Sequence, residues 1–506
     1  MKHRYRRLSP PELIFLIFAL AVVLRMAGVF SRPIWYDEAF AILFSRQGLE
    51  RMIYGTLAPD ASGAASDVHP LGYYFLLSLW MQAFGESIAA ARLLSILIGI
   101  GLMTLGLQVA RSIGGHNPPP LIAFLIAVSP FQIHFAQEVR MYGLLTVFLL
   151  GATLAVWAVS SAGRRWWQAL SFGLCAAGAL YTHNLAIVYL LPLALIPLLR
   201  RNFPALGWTA LGGLFGAALY LPWALQLPAQ FEKLQNAYWT VRPGIVQIFT
   251  TLIVFTTNLP LPTSWLPVGL FVSILLLSLT VWQTLRLYRL DPDRARPGLW
   301  LAYLALVPCA LLFLVSQWMP VYIDRALLPS AVLYLAWVGW ALIGTGLPTQ
   351  IRSAAIALFC LGAGMGIYQH LAYQGFPYAP YHELNASIEA EILAGDAIVH
   401  SNKLSMLSAY LDSPELPHRY IADPLGSGSD TLAGPTQEVL GISEAVDISQ
   451  AVGDASRIWL IIFSQAIREF QDSGAPDHPH LVWLGEHYRM ERQESWGDLV
   501  VILYER

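Results

Sequence analysis

Trp35-Tyr36-Asp37-Glu38-Ala39-Phe40 places two adjacent carboxylates just beyond the first apolar run of the chain, Leu13 to Phe30. Whether these acids are solvated loop charges or chemically active groups depends on what surrounds them. The chain has 506 residues, 56% of them hydrophobic and 12% charged, where soluble domains run at roughly 25% charged. With a mean hydropathy of +0.54 it belongs in a bilayer. The net charge of −2 conceals an asymmetry. From Tyr381 to the end there are 20 Asp/Glu and 7 Lys/Arg, net −13, and the residues before carry 12 and 23, net +11. That split predicts a membrane domain over residues 1–379 followed by a separate acidic soluble domain over 380–506. Cys175, Cys309 and Cys360 all lie inside apolar runs, so no disulfide framework is implied. Lys2-His3-Arg4-Tyr5-Arg6-Arg7 before an apolar run mimics a signal peptide. No small-residue cleavage site follows, and Arg25 interrupts the run, which reads as a retained membrane helix.

A spanning helix needs about 20 largely apolar residues. Eleven spans are expected, near 13–30, 88–110, 119–136, 139–160, 166–182, 184–199, 205–227, 265–288, 299–318, 326–345 and 351–371. Leu71–Phe84 and Ile245–Thr257 are too short to cross and read as interfacial helices. The distribution of bases supports this count. With the N-terminus inside, the inner connections collect Lys2, Arg4, Arg6, Arg7, Arg111, Arg164, Arg165, Arg200, Arg201, Arg286, Arg289, Arg294, Arg296 and Arg352. The longer outer connections hold Arg32, Arg46, Arg51, Arg140, Lys233, Arg242 and Arg325. An odd number of spans then puts the acidic tail outside, and the inner membrane of a cell is the expected location. In the tail, Glu383–Leu393 reads as an amphipathic helix, and Ala397–His400, Arg457–Phe463 and Leu499–Tyr504 as strands. Pro424–Gly434 reads as a loop, and the whole as a small α/β domain. There is no internal repeat, P-loop, Cys/His metal spacing or Ser-His-Asp signature. No nucleic-acid partner is implied.

The unusual residues gather on the outer side. Sugar transfer from a lipid phosphate needs a carboxylate to take the proton of an incoming hydroxyl. It also needs a cation to hold the departing phosphate, for which the planar, permanently charged fork of Arg is suited. Asp37 and Glu38 offer the carboxylates, their side chains diverging by roughly 100° if they start a helix. The alternative for Asp37 is a cap on a helix beginning at Ala39. Gln137-Glu138-Val139-Arg140-Met141-Tyr142 packs an amide, an acid, a base and a phenol into six positions. Its alternative is a solvated tight turn. Ionisable groups at membrane level are functional candidates. Arg325 opens a span after Tyr322 and Asp324, either as a site residue or as a snorkelling anchor. Arg92 and Arg25 sit just inside spans near the outer end and can pair with a loop acid. His69-Pro70 offers a donor to phosphate, or only begins the interfacial helix. His183 reads as a satisfied polar loop residue.

Taken in order, the pieces Trp35-Tyr36-Asp37-Glu38-Ala39, His69-Pro70-Leu71-Gly72-Tyr73-Tyr74, Arg92-Leu93, Ser129-Pro130-Phe131 through Glu138-Val139-Arg140-Met141-Tyr142, and Arg325-Ala326-Leu327-Leu328-Pro329 form a pattern. It resembles the C-type (GT-C) glycosyltransferases of glycosyltransferase family 39. These include the protein O-mannosyltransferases and, more distantly, the lipid A aminoarabinose transferases. The resemblance covers about residues 10–370, and the tail is similar to the α/β periplasmic extension of bacterial members. It implies a polytopic α-helical membrane protein of GT-C fold. It implies Asp37 as catalytic base with Glu38 in support, and Glu138 as a second acid with Arg140 its companion. His69 and Arg325 would meet the lipid-linked phosphate, with Tyr142 and Arg92 completing the substrate-binding set. Many members have His-Pro-Pro where this chain has His69-Pro70-Leu71, and Arg-Tyr where it has Arg325-Ala326. The implied activity is inverting transfer from a polyprenyl-phosphate sugar, as co-substrate, to a protein, lipid or glycan hydroxyl. A divalent metal is compatible with the acids, but no ligand spacing demands one. The rival readings are a transporter or flippase of lipid-linked sugars, which predicts ionisable residues or broken helices near the midplane, and a scaffold that recruits partners through its acidic tail.

Overall fold

The computed structural model describes residues 9–59, 69–115, 120–161, 165–230, 240–343, 346–423, 432–474 and 476–506. The basic stretch Lys2–Arg7, Arg164, Lys233 and most of the expected 424–434 loop lie outside these residues. The chain divides into two compact units: Met1–Val29, Arg92–Leu225 and Thr240–Ala372 form the first, and Phe30–Ala91, Gln226–Trp239 and Tyr373–Arg506 the second.

The first unit is helical. It begins with α1 (Pro10–Met26), whose start is fixed by Glu12 accepting the Ser9 backbone N–H at 2.7 Å, one arm of a capping box. It continues with α5 (Ile88–Gly114), α6 (Pro120–Ala127), α7 (Pro130–Gln137), α8 (Tyr142–Val159), α9 (Arg165–Thr182), α10 (Ala186–Ala194), α11 (Ile196–Leu199) and α12 (Phe203–Ala224). After these come α13 (Ile245–Thr257), α14 (Leu266–Leu290), α15 (Pro292–Val315), a 3₁₀ turn (Asp324–Leu327), α16 (Leu328–Ile343) and α17 (Thr349–Ala372). Each of the eleven expected spans falls on one of these helices or on a helix pair. Among the described residues, seven helices are long and apolar enough to cross a membrane, or eight if the bent pair α6–α7 counts as one. This is a multi-pass membrane protein. The expected continuous span 119–136 needs correction: it breaks at Val128-Ser129 and bends by 55°. Ser129 caps α7 and Pro130 cannot continue the helix before it, so sequence chemistry forces the break.

Apolar content alone does not pack helices in lipid, and small residues do that work. A Cβ added to Gly212 of α12 would lie 2.3 Å from the Ala169 carbonyl oxygen of α9, and one added to Gly216 would lie 2.7 Å from that of Gly173. The two backbones therefore touch along a Gly-x-x-x-Gly face. α16 is the central helix, with 89% of its apolar window buried, whereas α12 and α17 bury only 28% of theirs and turn apolar faces outward.

The second unit holds α2 (Tyr36–Ser45), α3 (Leu49–Leu57) and α4 (Gly72–Phe84) from the first loop. At 13 residues each, α4 and α13 span about 20 Å and are too short to cross. The tail contributes β1 (Ala397–His400), β2 (His418–Ile421), β3 (Glu444–Ala445), β4 (Arg457–Phe463), β5 (Arg489–Trp496) and β6 (Leu499–Glu505). Around them lie α18 (Tyr381–Glu391), α19 (Lys403–Asp412), α20 (Gly434–Leu440), α21 (Ile448–Val452), α22 (Ser464–Asp472) and α23 (Pro479–His487). The strands form one mixed sheet in the order β3-β2-β1-β4-β6-β5, parallel through the first four and antiparallel from β4 to β6 to β5. Alternation along β4 feeds both faces: Ile458, Leu460 and Ile462 enter one core with Val500 and Ile502, and Trp459, Ile461 and Phe463 the other with Leu384 and Ile388 of α18. Burial on both sides explains the unbroken apolar run of β4. Helices α3 and α20 meet where Thr436 donates to the Gly55 carbonyl at 2.9 Å and Tyr54 donates to Glu438 at 2.8 Å.

Candidate functional site

The helix carrying the acid pair begins earlier than a capping role for Asp37 allows. Trp35 is the N-cap and Tyr36 the first residue, so Asp37 and Glu38 are the second and third residues of the first turn. Both carboxylates meet the positive end of the α2 dipole there. Glu38 is fully buried and Asp37 only half-buried. This inequality suits the roles expected of a supporting and a reacting acid. Just upstream, the Arg32 guanidinium lies 4.4 Å from the Tyr378 ring and donates to its hydroxyl, and the Trp35 ring is 6.2 Å from the same ring. His69 is half-buried ahead of the buried pair Pro70-Leu71 that leads into α4. Asp37, Glu38 and His69 thus all belong to the second unit.

Glu138, Arg140, Tyr142, Arg325 and Arg92 belong to the first. Glu138 ends α7 in an extended conformation, and the Arg140 N–H closes a tight turn on its carbonyl at 2.8 Å. This is not a solvated turn: Glu138 is 2% exposed, Arg140 5% and Tyr142 0%. The Arg325 guanidinium sits 5.3 Å from the centroid of the Tyr142 ring, whose other neighbours are Phe135 at 5.4 Å and His183 at 5.8 Å. The structure therefore brings Tyr142 and Arg325 together and orients the guanidinium through the ring face. Arg92 donates to the Val29 carbonyl at 2.9 Å. Arg25 is fully buried and donates to the carbonyls of Ala21 at 3.2 Å and Ala127 at 3.1 Å. It ties α1 to α6 rather than pairing with a loop acid. Asp324 accepts from Thr251 at 2.5 Å, and the Thr251 hydroxyl also meets that of Tyr322 at 2.8 Å. His183 is satisfied in part by accepting the Leu185 N–H at 3.1 Å.

Sequence reasoning missed the partners of Glu138. His134 Nε2 lies 2.7 Å from Glu138 Oε1, four residues apart. Asn258 Nδ2 lies 3.3 Å from His134 Nδ1. An amide donating to Nδ1 leaves the imidazole proton on Nε2, directed at the carboxylate. Asn258 holds this position with a positive φ of 62 as the C-cap of α13, a backbone conformation that side chains rarely adopt. The His134 ring also lies 4.9 Å from that of His370 on α17, whose Nε2 is 2.8 Å from Gln137 Oε1. Gln137 donates in turn to the carbonyls of Arg25 and Ala27 at 3.0 and 2.8 Å. An Asn-His-Glu relay and a His-Gln clasp thus bind the end of α7 to α1, α13 and α17. The signal was present as the i, i+4 spacing of His134 and Glu138.

In the tail, burial pushes His418 down to about 4 and His400 well below the ordinary histidine value. Their rings are linked, His400 Nε2 lying 3.1 Å from His418 Nδ1 and His400 Nδ1 lying 3.0 Å from Ser405 Oγ. Among the described residues, no group of three or more His, Cys, Asp or Glu stands together as a metal cage.

No family model matches the sequence, and no curated protein matches it. Solved structures do match in fold. ArnT from Cupriavidus metallidurans bound to undecaprenyl phosphate aligns over 98% of this chain and 98% of its own, with a TM-score of 0.63 at 13% identity. The same protein in the apo state aligns over 97% of each chain, with a TM-score of 0.63 at 12% identity. The oligosaccharyltransferase of Archaeoglobus fulgidus in its apo form aligns over 98% of this chain and 75% of its own, with a TM-score of 0.56 at 11% identity. At these identities the likeness shows the fold: this chain has the GT-C fold in its ArnT-like form, with a small C-terminal sheet domain.

Proposed function

We propose that the chain is an inverting glycosyltransferase that moves a sugar from a polyprenyl-phosphate donor to an acceptor hydroxyl on the outer face of the cell membrane. The observation that carries this reading is a fold likeness running end to end through both chains, to a structure that holds undecaprenyl phosphate. The acid pair at the head of α2 and the buried acid and arginines around Tyr142 supply the groups such a reaction needs.

In this reading the half-buried Asp37 takes the proton of the acceptor hydroxyl as its oxygen attacks the anomeric carbon. The bond from that carbon to the phosphate oxygen breaks, its electron pair stays on the polyprenyl phosphate, and the anomeric centre inverts. Glu38 supports Asp37 from the same turn. Arg325, fixed against Tyr142, meets the growing negative charge, with His69, Arg140 and Arg92 as further phosphate or substrate contacts. Glu138 acts as a second acid held by His134. The N-terminus lies on the cytoplasmic side, and the tail from about residue 380 lies outside. The donor is the only co-substrate the chemistry requires.

The test uses membranes that contain the native acceptor and an undecaprenyl-phosphate sugar. The parent chain should release undecaprenyl phosphate and label the acceptor. Asp37→Asn should fold and lose transfer by 100-fold or more, on the order of what a positioned base contributes. Near-normal transfer by Asp37→Asn would remove it as base, and no release by the parent chain with any polyprenyl-phosphate sugar would sink the reading.

A further inference from the structure

The C-terminal domain carries a buried lysine that reaches the first turn of α2. Lys403 is 2% exposed, although lysines are almost never fully buried unless paired. It is the first residue of α19, behind an N-cap in which Asn402 accepts the Leu404 N–H at 3.0 Å. A cation there faces the positive end of the α19 dipole. Desolvation and dipole both disfavour an ammonium at this position.

The side chain does not turn toward the sheet. Its Nζ lies 5.7 Å from the centroid of the Tyr36 ring, and Tyr36 immediately precedes Asp37 in the first turn of α2. Ring attraction alone is weak beside the cost of desolvating an ammonium. The negative charges in the same turn as Tyr36 are Asp37 and the fully buried Glu38. α4 has no charged residue, and α3 carries Glu50 and Arg51. Glu438 of α20 is engaged by Tyr54 through its carboxylate and by Arg51 through its carbonyl. At the far end of α19, Asp412 accepts from Asn385 and lies 3.2 Å from His382. Arg32, upstream of α2, donates to the Tyr378 hydroxyl.

We propose that Lys403 is a positioning residue for the acid pair: the C-terminal domain inserts one ammonium against the first turn of α2, where it orients Asp37 and Glu38. This rests on the glycosyltransferase reading and gives the tail a part in the chemistry. No bond is made to Lys403 during the reaction. Its charge offsets that of the two adjacent carboxylates in the first turn of α2.

The experiment compares Lys403→Met, Lys403→Gln and Lys403→Arg in the full chain, in acceptor-containing membranes. The measurements are donor kcat and KM, the pH dependence of kcat/KM, and thermal stability of the purified protein. Loss of the charge should lower kcat at least tenfold, leave donor KM within about threefold, and move the acidic limb of the profile up by about one pH unit. Lys403→Arg should keep the limb in place and restore most of kcat. Equal losses in Lys403→Arg and Lys403→Met with an unmoved acidic limb would overturn the proposal, as would full activity in Lys403→Met. If Lys403→Met is recovered only unfolded, Lys403→Arg and Lys403→Gln decide it by the same limb. A parent chain that transfers no sugar refutes the underlying reading instead.

Discussion

His134→Ala and Glu138→Gln, made singly and together, test whether the buried relay acts as a unit. The 2.7 Å contact joins Nε2 of His134, a side chain 13% exposed, to the carboxylate of Glu138, a side chain 2% exposed. Hydrogen bonds to charged groups in such surroundings contribute about 1.5–3 kcal/mol, and each 1.36 kcal/mol is a factor of ten in rate. His134→Ala should therefore lower kcat/KM by about 10- to 150-fold in the parent chain, because Glu138 is left buried without its donor. In the Glu138→Gln background there is no carboxylate to strand, and the same change should cost no more than about threefold. The coupling energy of the cycle should then fall near 1.5–3 kcal/mol. Asn258→Ala removes only a neutral 3.3 Å contact to the far nitrogen. A loss of about 2- to 12-fold is expected, from the 0.5–1.5 kcal/mol of a neutral hydrogen bond. The assay is release of undecaprenyl phosphate in acceptor-containing membranes, with purified yield and thermal stability as folding controls. Equal costs for His134→Ala in both backgrounds would refute the relay.

Gly366→Ala should cost stability and activity together: a Cβ there would lie 1.8 Å from the Thr257 carbonyl oxygen and 2.7 Å from Pro130 Cγ, so α17 must move from α13 beside Asn258. Overpacking of this kind costs about 1–3 kcal/mol, and a Gly366→Ala variant as stable as its parent would contradict the backbone contact. The tail should lose stability in mild acid. Burial holds His418, His478 and His480 at about 4 and His400 well below its ordinary value, while the unfolded chain takes up these protons near 6.5. Between 6.5 and 4 the unfolded state binds more protons, so stability falls as pH drops through that window and is flat above it. Thermal unfolding followed between pH 7.5 and 5.0 should show that fall, softened in His418→Gln, and a profile flat to pH 5.0 would contradict the burial of these rings.

The parts of this fold legible in the sequence are those where a period or a composition speaks for itself. Each of the eleven apolar runs falls on helix because about 20 apolar residues in lipid have one backbone solution, and Arg457–Phe463 matches β4 residue for residue because both sheet faces bury it. β5 was invisible: Arg489–Trp496 is mostly exposed, has a bulge between Met490 and Arg492, and shows no apolar alternation. β3 spans two residues and leaves no pattern. The break after Val128 was readable from Ser129-Pro130, but a uniform hydropathy run hid it. His134 lies inside the same apolar run, where only its i, i+4 spacing to Glu138 marks a pair.

What linear reading cannot supply is which distant segment completes a local one. Asp37 and Glu38 stand out because adjacent acids are rare at a membrane surface, yet nothing in Trp35–Phe40 names Lys403, some 365 residues on by the numbering. Lys403 in turn lies in Asn402-Lys403-Leu404-Ser405, an ordinary helix start whose lysine would be solvated in an isolated domain. Only the packing of α2 on α19 within one compact unit makes that lysine buried and turns a helix-capping stretch into a charge placed against two acids. The boundary drawn from charge at residue 380 separates the acidic tail from the apolar spans by composition. Cohesion instead groups Phe30–Ala91 with Tyr373–Arg506. A first loop and a last domain that fall in one compact unit are expected to unfold together. On that ground the tail is an integral part of the segment carrying the acid pair, and deleting residues 380–506 should disorder α2 rather than merely expose it.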